Sequence, residues 1–144
     1  MFAGSENDEV RELVLRYIAA LDNRDFDAWL ALYGENGYYA VLRRVELDAG
    51  NNLLLVGEEM KRLRGRVEAG VVRDLRRTVH TVGWVRMQGA DLANAAFTLW
   101  IDGTPAYAGE YRFVLEMTPN GLRIARCTAI IDNEMIRQPI FLPI

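Results

Sequence analysis

The sequence predicts a single α+β domain, residues 1–144, in which N-terminal helices pack on a strongly curved, mainly antiparallel sheet. Three observations carry this. Helical apolar periodicity is concentrated in the first half of the chain. The second half consists of long strand-like runs divided by turn-forming tetrapeptides. Finally, 144 residues, of which 51% are hydrophobic and 26% charged, fit one globular domain and not a disordered chain. Helices first and strands afterwards is the α+β order, with the helices covering one face of the sheet.

Val10, Leu13, Val14, Tyr17, Ile18 and Leu21 form one apolar stripe of a first helix. Ser5, Asn7 and Asp8 offer capping side chains at its start, and the Asp22-Asn23-Arg24-Asp25 stretch breaks it. Asp25 can cap a second, shorter helix with Phe26, Trp29, Leu30 and Tyr33 inward and Gly34 as its stop. Asn36-Gly37 turns the chain into an extended run, Tyr38 to Val45. A third helical stretch is predicted over about Gly57 to Val67, with Met60, Leu63 and Val67 on one face and Gly70 ending it. Four strands follow, Arg76–Met87, Leu92–Ile101, Tyr107–Met117 and Leu122–Ile131. Their separators contain Asp102-Gly103 and Asn120-Gly121, strong hairpin signals, so the four strands read as an antiparallel meander.

Composition excludes several function classes. The net charge of −3 gives no overall attraction to nucleic acid or anionic membranes. The single cysteine, Cys127, rules out an intramolecular disulfide or a cysteine-held cluster on this chain alone. The single histidine, His80, rules out a two-histidine iron site. The N-terminus is acidic and lacks a secretory pattern, and the apolar runs are only a few residues long. The expectation is a cytoplasmic protein that engages neither membranes nor nucleic acid.

The segment Ala20-Leu21-Asp22-Asn23-Arg24-Asp25-Phe26-Asp27-Ala28-Trp29-Leu30 resembles a signature of the small (beta) subunits of aromatic-ring-hydroxylating dioxygenases. Arg77-Thr78-Val79-His80-Thr81-Val82 resembles that family's Arg-x-x-His segment, and Tyr107-Ala108-Gly109-Glu110-Tyr111 its glycine-centred strand. Leu122 to Arg126 and Ile131-Asp132-Asn133 resemble its last strand. The resemblance spans about residues 8 to 144 and implies an NTF2-like (cystatin-like) cone. It further implies a structural subunit that trimerises and carries large (alpha) subunits in an α3β3 assembly. The Rieske [2Fe-2S] cluster and mononuclear iron would then lie on the large subunit, with no cofactor on this chain and no catalytic residue. The complex would insert O2 into an aromatic ring at the expense of NAD(P)H.

The alternative is a free-standing isomerase or dehydratase of the SnoaL-like kind, acting on a small cyclic substrate in the cone through His80, Tyr17 and Tyr39. Arg16-Tyr17-Ile18 resembles the first-helix oxyanion donor of ketosteroid isomerase, but the base of that enzyme would fall near Val41, which cannot take a proton. Tyr17 therefore reads as a core aromatic. If the strand around His80 alternates strictly, Thr78, His80, Val82, Trp84 and Arg86 share a face. There His80 could be a general base or a hydrogen-bonded structural histidine, and the resemblance favours the latter. Cys127, with Ala125 and Ala129, reads as a small packed residue; Asp102, Asp132 and Glu134 read as turn and edge groups.

The basic run reads as a polar face, while the apolar tail and the sheet-face aromatics argue for partners. Lys61, Arg62, Arg64, Arg66, Arg73, Arg76 and Arg77 put seven cations into 17 residues, interleaved with Glu58, Glu59, Glu68 and Asp74, which suits a solvated or inter-subunit face with pairs such as Glu58–Arg62. The tail, Gln138 to Ile144, is apolar and proline-bound, and together with Trp84, Trp100 and the Tyr107/Tyr111/Phe113 row it exceeds what one layer of short helices would cover.

Overall fold

The computed structural model describes residues 2–144, with side chains from Asn7 onward. Helix α1 (Phe2–Asp22) buries Val10, Leu13, Val14, Tyr17, Ile18 and Leu21, the stripe its periodicity predicts. It begins upstream of the expected caps, so Asn7 and Asp8 lie inside it; the side chain of Ser5 lies outside the described residues. Its end is made by Arg24, at a left-handed φ of 56°, with the Asp25 N–H reaching back to the Ala20 carbonyl at 2.8 Å. Asp25 then caps α2 (Phe26–Ala31), accepting from Ala28 N–H at 3.1 Å.

From here the structure corrects the boundaries. The second helix does not reach Gly34, because Ile124 N–H takes the Leu32 carbonyl at 2.8 Å and draws Tyr33 into β1 (Tyr33–Arg43). That strand stops before Val45, where Arg43 holds Glu46 at 2.7 Å and a short helix, α3 (Arg44–Asp48), turns the chain. Gly57 to Glu59 are not helical either. They belong to β2 (Leu54–Glu59), whose register sets Gly57 against Ala40 and Glu59 against Tyr38 of β1. Helix α4 (Met60–Arg73) starts only after this ladder and runs past Gly70. Gly70 is there for space: a Cβ would lie 2.5 Å from the Phe141 carbonyl oxygen, where the tail crosses the helix.

The remaining strands are β3 (Thr78–Met87), β4 (Leu92–Ile101), β5 (Thr104–Thr118) and β6 (Gly121–Ile131), the predicted meander with small changes of length. Asp102 and Gly103 both have positive φ, as a tight two-residue hairpin requires. The sheet is six-stranded in the order β2-β1-β6-β5-β4-β3, with β1 parallel to β6 and every other pair antiparallel. Bulges interrupt the ladders and add twist. One extra residue between Val82 and Val85 reverses the alternation of β3, so Val85 and Met87 pack on the core while Trp84 and Arg86 face out. Another, at Ala125, leaves Ile124 and Cys127 facing in together and takes Ala125 off the face of Cys127 and Ala129.

The tail is not a free patch. Tyr107 Oη donates to the Gln138 carbonyl, and the Arg76 guanidinium donates to Gln138 Oε1 and the Pro139 carbonyl, each at 2.9 Å. Ile144 is 3% exposed, and its N–H donates to Tyr39 Oη at 2.9 Å. Tyr107, Tyr111 and Phe113 also turn inward, at 2% exposure or less. The surplus of outer aromatics predicted from the sequence therefore reduces to Trp84 and a half-buried Trp100.

Asp74 anchors this strap, accepting from Arg76 Nε and Nη2 at 2.8 Å each. These hydrogen bonds hold its carboxyl below the usual carboxylate range. Its stabilisation is thus complete above that range and is lost as pH falls through the lowered value. Asp74→Asn should lower the melting temperature by roughly 4 °C at neutral pH, for the loss of about 1 kcal/mol. Melting curves recorded at decreasing pH should converge on wild type in strong acid; a gap that stays constant would contradict this role.

Candidate functional site

The inner face of the sheet and the two N-terminal helices enclose an aromatic interior. Trp29, 0% exposed, sits at its centre with ring centroids 5.6 Å from Tyr17, 5.1 Å from Tyr33 and 5.5 Å from Tyr39. Tyr17 also packs edge-on against Tyr111 at 5.2 Å and Phe113 at 5.4 Å. These contacts follow from the stripe of α1 meeting inward positions of β1 and β5 that a period of two selects.

Two of the three sequence-predicted candidates, Tyr17 and Tyr39, are brought into this interior and each is already occupied. Tyr17 Oη lies 3.4 Å from Tyr33 Oη and 3.3 Å from Cys127 Sγ. Tyr39 Oη accepts from Ile144 N–H. Burial raises the phenols of Tyr17, Tyr33, Tyr39 and Tyr111, and pushes the Cys127 thiol up to about 12. All of them are neutral at physiological pH, so Cys127 is no thiolate nucleophile.

His80 stands apart from the tyrosines, on β3 against the end of α1. Its Nδ1 lies 2.6 Å from Asp22 Oδ1, and its backbone N–H donates to Asp22 Oδ2 at 2.7 Å. Thr78 Oγ1 donates to the same carboxylate at 3.2 Å. A carboxylate only accepts, so the shared proton belongs on Nδ1. Such a dyad can in principle take a proton. Here the His80 side chain is 1% exposed, Nε2 is buried without a partner among the described residues, and the Phe97 ring lies 6.4 Å away, itself stacked on Tyr111 at 4.1 Å between centroids. Trp84, expected beside His80, faces outward because of the bulge.

Asp22 is the residue that sequence reasoning missed. It reads as part of a helix break, and nothing in the pattern ties it to a histidine 58 positions away. The other acids have structural duties: Asp132 accepts from Arg44 Nε at 2.8 Å, Asp102 from Arg77 N–H at 3.0 Å, and the Glu134 backbone carbonyl accepts from Arg43. Glu58 pairs with Arg66 at 3.4 Å and not with Arg62, since it sits on β2 rather than in the helix.

The main surface grooves are lined by none of Tyr17, Tyr39 and His80. The largest of them, about 700 Å³, runs over Leu13 and Arg16 of α1, Ala28 of α2 and the Asn120-Gly121 turn. Among the described residues no group of three or more His, Cys, Asp or Glu side chains gathers where a metal ion could be held, and no helix is long and apolar enough to cross a membrane. A Rieske cluster needs two cysteines and two histidines. With one of each, the first buried against Tyr17 and the second tied to Asp22, this chain does not fit that group.

Residues 16–138 match the family model described as the ring hydroxylating beta subunit. No curated protein matches the chain in sequence. A solved structure from Novosphingobium aromaticivorans, described as a beta subunit of an aromatic-ring-hydroxylating dioxygenase, is 21% identical and superposes with a TM-score of 0.86 over 100% of both chains. The beta subunit of benzoate 1,2-dioxygenase from Burkholderia mallei is 17% identical, with a TM-score of 0.69 over 94% of this chain and 96% of that one. An NTF2-like protein with a cystatin-like fold, also from Novosphingobium aromaticivorans, is 20% identical at a TM-score of 0.60, covering 99% and 93%. The predicted fold class is thereby borne out.

Proposed function

Since this chain belongs to the ring hydroxylating beta subunit family, we propose that it is a structural subunit that holds a catalytic large subunit in place and performs no chemistry itself. The observation that carries this reading is the filled interior. Tyr17, Trp29, Tyr39 and Tyr111 occupy the volume where a substrate would sit, each at 1% exposure or less. His80, the single histidine, is spent on joining α1 to β3 through Asp22. On this reading Tyr17, Tyr39 and His80 are core residues, the Rieske cluster and mononuclear iron belong to the large subunit, and the complex works in the cytoplasm.

Self-association as a trimer is part of the proposal. The outward face of β3–β6 carries the cross-strand pairs Val79–Trp100, Thr81–Thr98 and Arg112–Thr128. Helix α1 covers the opposite, inner face, where Tyr17 packs on Tyr111 and Phe113 of β5. The outward face suits burial between copies, and a three-fold ring closes without leaving a sticky edge. Native mass spectrometry of the chain co-expressed with the large subunit tests it. Equal numbers of both chains in a multiple of three is the expected result. A large subunit that never associates with this chain would end the subunit reading.

A further inference from the structure

One face of α4 carries Arg62, Arg66 and Arg73 at intervals of four and seven residues, so the three guanidinium groups lie along a single line of the helix. The tail passes beside this line, and Ile140 and Phe141 form the opposite wall of a groove of about 460 Å³. Among the described residues the only acid lining it is Glu58, at 3.4 Å from Arg66. Among the described residues Arg62 and Arg73 have no acid within 4.0 Å, and Arg66 Nε is buried without a partner. At the helix end, Val72 in the last turn and Leu75 just past it are 79% and 83% exposed beside Arg73 and Arg77. In a protein of net charge −3, this concentrates unneutralised cations on an open groove with an apolar wall.

We propose that this groove is the docking site for an acidic segment of the large subunit, one that carries carboxylates for the arginines and an apolar side chain for Ile140 and Phe141. The occupant follows from charge complementarity. Planar guanidinium groups take carboxylates bidentately and are favoured at interfaces. The groove is open along the helix, which suits an extended chain lying across it. A nucleic acid fits poorly, because Glu58 lines the groove and the chain as a whole is acidic. The inference rests on the reading of the chain as a subunit.

The test uses the full-length chain, a double variant Arg62→Glu/Arg73→Glu, and its neutral counterpart Arg62→Gln/Arg73→Gln. Both positions are exposed, so the melting temperature should stay near wild type. The first probe is a fluorescein-labelled peptide of alternating glutamate and phenylalanine, followed by anisotropy. The wild type should bind it, with affinity falling at least tenfold in the glutamate variant, less in the glutamine variant, and steeply with added salt. Binding equal in all three proteins would overturn the groove assignment. The second probe is the large subunit, captured by co-expression. Capture by wild type but not by the glutamate variant supports the proposal. Equal capture by both overturns the groove and leaves the subunit reading standing, whereas no capture by wild type overturns the subunit reading itself.

Discussion

Trp29→Ala should destabilise the protein by about 3–5 kcal/mol, the usual cost of emptying a large aromatic site in a core. Trp29 is 0% exposed and meets three tyrosine rings within 5.6 Å, so the cavity is bounded by rigid groups that cannot collapse into it. Its Nε1 is buried without a partner among the described residues, a standing penalty that Trp29→Phe removes along with only part of the ring. The phenylalanine variant should therefore lose less than half as much. Urea denaturation of both variants checks this. Equal losses would mean that the indole nitrogen, and not the ring, holds the centre of the core.

The second large effect is expected at Asp22. This one carboxylate accepts from His80 Nδ1, His80 N–H and Thr78 Oγ1, and so closes the end of α1 onto β3. Asp22→Ala leaves two buried histidine groups unpaired and should cost about 3 kcal/mol. His80→Gln, which can still donate toward Asp22 from its amide, should cost about 1 kcal/mol. Denaturant midpoints separate the two. If Asp22→Ala melts like wild type, the dyad does not join the helix to the sheet.

Much of the fold was legible because local chemistry and tertiary structure agree there. The stripe Val10 to Leu21, the Asp25 cap and the Asp102-Gly103 turn each encode their own conformation within a few residues. The misread segment, Tyr33 to Glu59, is where long-range pairing decides. Tyr33 is strand because Ile124 and Leu32 share a hydrogen bond, and Gly57 is strand because β1 lies beside it. Bulges were illegible for a related reason. A single extra residue in β3 turns Trp84 out and Val85 in, and alternation read from sequence has no means of placing that slip. The tail looked exposed because its cover comes from Gly70, Arg76 and Tyr39, far away in sequence. At the candidate site, residue types pointed to His80, Tyr17 and Tyr39, but the partners that occupy them could be seen only in three dimensions.

If His80 and the aromatic interior hold the subunit together and take no part in turnover, the chemistry of the assembled complex should be indifferent to the imidazole. The most direct test is oxygen consumption by the complex of this chain with the large subunit, measured per assembled particle on the aromatic substrate of that complex, with wild-type and His80→Gln chains. The expected result is that kcat and KM agree within about twofold, the variant differing only in melting temperature and yield of complex. A roughly hundredfold or greater loss of turnover in fully assembled, iron-loaded particles would contradict this and would make the Asp22–His80 dyad a catalytic base.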